Sequence, residues 1–285
     1  MLGEVRRQRL RRAFRLPDVT NTSITLQIIG GGKMAEALVG GLVANDWAPA
    51  DRLHVVEPVE ARRAQLVDAI PGLAVSDAPV AAADVVIAVK PNIVPAALEA
   101  LAGTDIRRVL SIAAGVRCAA MEAQLPEGTA VVRCMPNTPA LVGQGAAAIA
   151  AGQAATAADL DWAASILDAV GTVVVVDEPE IDAVTGLSGS GPAYVFHLAE
   201  ALIAAGVAEG LDPGTADALA RQTLLGAATL LSESGEDPAV LRTNVTSPGG
   251  TTQAGLEVFA EADLVGLVGR VVKAATERSR ELGGS

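Results

Sequence analysis

Two short loops rich in hydroxyls and glycine carry the groups in this chain best suited to hold a small anion. Ser247-Pro248-Gly249-Gly250-Thr251-Thr252 runs into a helical pattern from Gln253 to Phe259, and Ser188-Gly189-Ser190-Gly191-Pro192 precedes a second helical segment. Turns of this composition leave backbone N–H groups free at a helix start, where the peptide dipoles also favour negative charge. Ser188, Ser190, Ser247, Gly249, Gly250, Thr251 and Thr252 are therefore the expected ligands of an acidic substrate. A third loop, Gly30-Gly31-Gly32-Lys33-Met34-Ala35, follows the strand-like run Ile24–Ile29 and opens a helical stretch from Met34 to Ala44. In that context G-x-G-x-x-A marks a dinucleotide site: Gly30 permits the turn, Gly32 admits the pyrophosphate, and small Ala35 lets helix and strand pack. Lys33, beside Met34 at the helix mouth, is placed equally well for a phosphate contact or for solvent.

Further cofactor candidates sit where other strand-like runs end. Glu57 closes the run Leu53–Glu57, where a carboxylate accepts from both adenosine ribose hydroxyls and repels a 2′-phosphate. This favours NADH, although Arg62 and Arg63 follow and are available either to a phosphate or to solvent as exposed helix residues. Ala88, Lys90 and Pro91 end the next run, at the sheet edge where ligands of doubly wound folds bind. Ala113 and Gly115, within Ser111–Gly115, and Asn137, within Met135–Pro139, are expected to close the nicotinamide end. Neither loop excludes a purely structural role.

Proton donors are few. His54 alternates within a strand and His197 lies on an apolar helix, so both are expected to be hydrogen-bonded core residues. Cys118 and Cys134 lack the spacing of a metal or redox pair and are expected to be buried thiols. No metal site and no nucleophile–base arrangement is expected. Hydride transfer requires neither; it requires a held cofactor and an oriented electrophile.

The elements that position these groups change character along the chain. From Ile24 to Val176, strand-like runs (Ile24–Ile29, Leu53–Glu57, Asp84–Val89, Arg108–Ile112, Ala130–Cys134, Thr172–Val176) alternate with helical segments, which predicts βαβ units and a mainly parallel sheet. From Ile181 on, helices are expected over Pro192–Glu209, Pro213–Ser232, Pro238–Asn244 and Thr252–Leu282, with a hinge at Asp177–Glu180. Pro192–Ala208 is apolar nearly all round, which predicts burial at a subunit interface. His197 and Glu200 within it argue against a membrane span.

The chain has 285 residues, enough for two domains. Apolar residues make up 51% but aromatics only 2%, so small aliphatic side chains must fill the interior. The net charge of −12 argues against general affinity for nucleic acid or an anionic membrane. Six of the 21 basic residues fall within Met1–Arg15. They predict a disordered extension over 1–23 or an over-long start, with a transit peptide or docking tail as the alternative.

Together these residues resemble the pyrroline-5-carboxylate reductase family. The resemblance runs from about Ile24 to Leu282 and is carried by Ala88-Val89-Lys90-Pro91, Met135-Pro136-Asn137-Thr138-Pro139, Leu187-Ser188-Gly189-Ser190-Gly191-Pro192-Ala193-Tyr194 and Ser247–Thr252. It implies an α/β fold: a Rossmann-like doubly wound sheet over 24–177, followed by an all-helical dimerisation and substrate domain over 178–285. The active site then lies between the first domain and the helical dimer. It implies reduction of 1-pyrroline-5-carboxylate to L-proline with NADPH or NADH, the resemblance favouring NADPH where Glu57 favours NADH, by a cytoplasmic homodimer or larger homo-oligomer. It also implies that the Ser247–Thr252 loop holds the substrate carboxylate, with Thr252 near the ring nitrogen as the catalytic group. Two alternatives stand beside it. A β-hydroxyacid reductase usually relies on a catalytic lysine in its helical part, and here the only lysine after Pro91 is Lys273. A non-enzymatic dinucleotide sensor needs neither hydroxyl-rich loop.

Overall fold

Short runs of valine, isoleucine and leucine form the strands, and the computed structural model describes residues 24–283. The basic segment 1–23, expected to be disordered, lies outside the described residues. The strands are β1 (Leu26–Ile29), β2 (Leu53–Val56), β3 (Ala74–Ser76), β4 (Asp84–Ile87), β5 (Arg108–Ser111), β6 (Ala130–Met135), β7 (Gly145–Ala151) and β8 (Gly171–Val175). They form one sheet in the order β3-β2-β1-β4-β5-β6-β7-β8. All neighbours run parallel except β6 and β7. The central strands are buried on both faces, as a parallel sheet covered by helices requires; every residue of β1, β2 and β4 is buried.

The covering helices are α1 (Lys33–Ala44), α2 (Glu60–Ala69), α3 (Val94–Glu99), α4 (Cys118–Glu122) and α5 (Ala157–Leu167). One core cluster packs Leu38, Leu42 and Trp162 on one side of the sheet. A second packs Val94, Leu98 and Met121 against β4 and β5. Two strands depart from the sequence-based expectation. β3 is only three residues long, and β7 is an alanine run whose composition favours helix. Ala148, Ile149 and Ala150 of β7 are fully buried between neighbouring layers, so tertiary packing overrides propensity. β8, paired with β7, consequently runs opposite to the first six strands.

Beyond β8 the chain is helical: α6 (Ile181–Val184), α7 (Gly191–Ala208), α8 (Pro213–Ser234), α9 (Pro238–Asn244), α10 (Thr251–Glu261) and α11 (Leu264–Gly283). The segment Asp177–Glu180, expected to be a hinge, holds a 3-10 turn at Glu178–Glu180 closed by a capping box between Asp177 and Glu180. The single helix expected over Thr252–Leu282 is two. Asp263 takes a left-handed conformation (φ 50°) and its carboxylate accepts from the Gly266 N–H at 3.1 Å, ending one helix and starting the next.

α7, α9 and α10 contain no buried residue, and α8 buries only Ala216 and Ala220. Val195, Phe196, Leu198, Leu225, Val258 and Phe259 stand exposed. The helical run Glu178–Ala208 is long and apolar enough to cross a membrane by length and composition alone, and its most apolar window is wholly unburied within the chain. An apolar layer of this extent marks an interaction surface.

Candidate active site

The glycine loop Gly30–Ala35 is built as its glycines dictate. Gly30 has φ 105°, and a side chain there would meet the Ala88 carbonyl oxygen at 2.6 Å and Val89 Cγ1 at 2.8 Å. At Gly32, by contrast, no atom lies within 4 Å of the position a side chain would occupy. Gly32 is the N-cap residue of α1 and brings no side chain to the cap, so the N–H groups opening the helix remain for an anion. Ala35 is buried against the sheet and Met34 packs at the core's margin. This open cradle over a close-packed turn fits a dinucleotide pyrophosphate. Lys33 is exposed and pairs with Glu36 at 3.1 Å.

Glu57 follows β2 immediately and turns toward the same loop. Its Oε2 accepts from the Gly31 N–H at 3.0 Å and its Oε1 from the Val59 N–H at 2.9 Å. Arg62 and Arg63 are half-buried, contrary to the reading of them as exposed helix residues. Arg62 donates to the Gly31 carbonyl oxygen at 2.7 Å and pairs with Glu36 at 2.6 Å. Hydrogen bonds from Arg62, then from Lys33, hold the Glu36 carboxyl below the usual range.

Ala88 closes β4, its N–H bonded to the Ile29 carbonyl oxygen at 2.8 Å. Lys90 caps the 3-10 turn Pro91–Ile93 and is exposed at that sheet edge. Past β5, Ala113 is buried and its N–H donates to Ser111 Oγ at 3.3 Å. Gly115 has φ 76° and lies against the C-terminal end of α11, with Leu282 O 3.6 Å from its side-chain position. Asn137, past β6, accepts from the Ala146 N–H at 2.8 Å and donates to the Ser188 carbonyl oxygen at 3.1 Å.

The Ser188–Pro192 segment is not the open loop its composition suggested. Thr185–Gly189 forms a π-helical turn that joins α6 to α7, and the Ser190 N–H donates to the Thr185 carbonyl oxygen at 2.8 Å. The Ser188 hydroxyl donates to the Val184 carbonyl oxygen at 3.2 Å. Continuous helical backbone thus consumes donors that a loop would leave free. The turn nevertheless lies on the sheet's edge, since a side chain at Gly189 would meet Met135 Cε at 2.5 Å.

The Ser247–Thr252 segment is a true turn. Gly249 has φ 70°, and the Gly250 N–H donates to the Ser247 carbonyl oxygen at 3.0 Å. The Gly249 N–H donates to Gln253 Oε1 at 2.8 Å. Gly250 caps α10 without a side-chain hydrogen bond, and Thr251 and Thr252 form the exposed first turn.

The two histidines diverge. His54 is buried between Gln27 Oε1 (3.1 Å) and Ser76 Oγ (2.9 Å), and burial lowers its pKa. His197 is not a core residue: its side chain is 85% exposed beside Glu200, because α7 finds no cover within its own chain. Both cysteines are buried thiols. Burial, reinforced by the Glu178 carboxylate, pushes Cys118 up to about 12; burial also raises Cys134.

A family model described as pyrroline-5-carboxylate reductase dimerisation matches residues 178–282, and one described as NADP oxidoreductase, coenzyme F420-dependent, matches residues 25–115. A pyrroline-5-carboxylate reductase from Corynebacterium melassecola is 42% identical over 267 residues, covering 91% of this chain and 98% of the relative. The chain belongs to the pyrroline-5-carboxylate reductase family. Within this family, the structure of the Coxiella burnetii reductase superposes with a TM-score of 0.85 at 37% identity, covering 92% of this chain and 99% of the other. The Plasmodium falciparum pyrroline carboxylate reductase, solved with NADP bound, gives a TM-score of 0.76 at 28% identity, covering 91% and 98%.

In this pyrroline-5-carboxylate reductase family member, the tertiary structure also recruits residues that the motifs do not contain. Glu36 and Arg62 brace the glycine loop, although 26 residues separate them. Glu178 Oε1 accepts from the Cys118 N–H at 2.8 Å and faces buried Arg133 at 3.3 Å, tying the start of the helical part to β6. A carboxylate in the first turn after a glycine fingerprint is visible in sequence; its distant partner is not.

Proposed function

We infer that this chain reduces 1-pyrroline-5-carboxylate to L-proline by hydride transfer from NAD(P)H, the last step of proline biosynthesis. One observation carries the reading: a single curated reductase matches over 91% of this chain, spanning both the dinucleotide loop and the hydroxyl-rich turn. We place cofactor binding in residues 24–177 and substrate binding and subunit association in 178–285. The working unit is a cytoplasmic homodimer or a larger assembly of such dimers.

NAD(P)H, when bound, supplies the hydride. Gly30, Gly32, Lys33, Met34 and Ala35 hold the pyrophosphate end, Glu57 the adenosine ribose, and Ala88, Lys90 and Pro91 the adjoining sheet edge. Ala113, Gly115 and Asn137 close the nicotinamide end. On the substrate side, we assign the carboxylate to the turn Ser247, Gly249, Gly250 and Thr251, with Ser188 and Ser190; the helix start capped by Gly250 without a side-chain bond supports this role, whereas the Ser188 hydroxyl and Ser190 N–H are held by Val184 and Thr185 within the chain.

An imine carbon accepts hydride well only when its nitrogen is protonated, and a cyclic imine takes that proton from solution. The remaining task is to hold the cation-carboxylate with its carbon facing the nicotinamide crevice. Thr252, beside the carboxylate turn, orients the ring nitrogen through its hydroxyl. The bare apolar layer on α7 to α10 supports dimerisation, since a second copy covers what a single chain leaves in water.

The test is direct. Purified protein with 1-pyrroline-5-carboxylate should consume NADH or NADPH and form L-proline in equal amount. Absence of turnover with both coenzymes would overturn the assignment.

A further inference from the structure

The backbone at Gly31 is gripped from both sides by charged side chains. Its N–H donates to Glu57 Oε2 at 3.0 Å, and its carbonyl oxygen accepts from Arg62 Nε at 2.7 Å. A second N–H, from Val59, holds the other Glu57 oxygen. Glu57 packs so closely on the loop that a side chain at Gly31 would lie 2.9 Å from Glu57 Cβ. The carboxylate is thus fixed between the end of β2 and the glycine loop, where a doubly wound fold seats the adenosine ribose.

A 2′-phosphate at that ribose is favoured by a cation, and of the two arginines beside the loop Arg62 is paired with a carboxylate while Arg63 is turned onto backbone carbonyls. Arg62 Nη2 pairs with Glu36 Oε2 at 2.6 Å, its side chain only 17% exposed, while Nη1 donates to Gln65 Oε1 at 3.1 Å. Arg63 Nη1 donates to the carbonyl oxygens of Glu57 and Pro58 at 2.7 and 2.9 Å. Glu36 also draws in Lys33. The mouth therefore presents a fixed acceptor to ribose hydroxyls, and its cations are turned to other partners.

We propose that Glu57 and Glu36 together make this chain select NADH over NADPH. Glu57 contacts the ribose and repels a 2′-phosphate; Glu36 is a positioning residue that withdraws Arg62 from the place where it would neutralise one. The inference rests on the reading of the N-terminal half as an NAD(P)H site. It goes beyond the family relationship, since the Plasmodium relative was solved with NADP bound.

The experiment measures kcat/KM for NADH and NADPH with 1-pyrroline-5-carboxylate, and calorimetric Kd values for NAD+ and NADP+, in wild type, Glu57→Gln and Glu36→Ala. Wild type should favour the non-phosphorylated coenzyme by roughly tenfold or more, the scale of a like-charge contact at a binding site. Glu57→Gln, which keeps an amide oxygen for one backbone N–H, should shrink that ratio by about tenfold. Glu36→Ala should shrink the ratio in the same direction, through a lower KM for NADPH and with kcat unchanged, a split that general loosening would not produce. A wild type that prefers NADPH, or a ratio unmoved by both substitutions, overturns the proposal. Should Glu57→Gln fail to fold, the wild-type Kd ratio and Glu36→Ala still decide it. Tighter binding of NAD+ than NADP+ without imine-dependent oxidation would keep this inference and sink the proposed reaction; binding of neither would sink both.

Discussion

The Asn137 side chain joins the two halves of the molecule: its Nδ2 donates to the Ser188 carbonyl oxygen at 3.1 Å, while its Oδ1 accepts from the Ala146 N–H at 2.8 Å. One amide thereby sets the position of the π-helical turn over the C-terminal edge of the sheet. Neither bond is available to an aliphatic residue, and Asn137 is buried.

Replacing Asn137 by Ala should lower stability by about 1–3 kcal/mol, because the two backbone groups lose their partner in a buried setting. Asn137→Asp keeps the acceptor for Ala146 but buries a carboxylate against a carbonyl oxygen, so it should lose kcat/KM and be no more stable than the alanine variant. Urea midpoints and steady-state rates on both variants separate these effects. Equal stability of Asn137→Ala and wild type would refute the joint.

Thr252→Ala should reduce turnover by a factor set by one orienting hydrogen bond, about 0.5–1.5 kcal/mol, or more where the group left behind is charged. Thr252→Ser should keep most activity, since the hydroxyl survives. The NAD(P)H dissociation constant should stay put in both. Full kcat/KM in the alanine variant, or a loss in coenzyme affinity instead, removes Thr252 from the substrate end.

Phe196 stands 64% exposed on α7 within one chain, among other uncovered apolar residues. Phe196→Asp should split or block the dimer, because an uncompensated charge within an apolar interface is costly. Light scattering across a dilution series is the measurement. A monomeric, fully active wild type at low concentration would contradict the dimer.

His54 links stability to pH. The ring lies between Gln27 Oε1, 3.1 Å from Nδ1, and Ser76 Oγ, 2.9 Å from Nε2, and burial holds its folded pKa below the ordinary 6.5. Between the folded and unfolded values the unfolded chain binds the extra proton, so stability rises with pH there and falls as pH drops below 6.5. Urea midpoints measured from neutral to mildly acidic pH should decline, and His54→Gln should flatten the decline. An unchanged slope would assign it to other groups.

Several features were legible in sequence because they depend on local rules. Gly30 must be glycine to hold φ 105° beneath Ala88, and a strand followed by that turn and a helix is recognisable within a dozen residues. The apolar girth of Pro192–Ala208 likewise announced a surface needing cover, and the proline-led helices appeared close to where they were expected. The Gly249 turn followed from its own composition.

What tertiary structure decided lies in long-range partners. β7 is a strand because flat alanines fit between buried layers, against the helical preference of its residues. Composition could not reveal that Ser188–Ser190 would continue a helix, since the same residues suit a loop until α6 and α7 are brought into line. Most of all, the charges beside the glycine loop acquired their partners only on folding. Arg62 reads as a free cation along the chain, yet Glu36, 26 positions earlier, captures it once β1 and β2 pair, because electrostatic partners are chosen by distance in space and not in sequence.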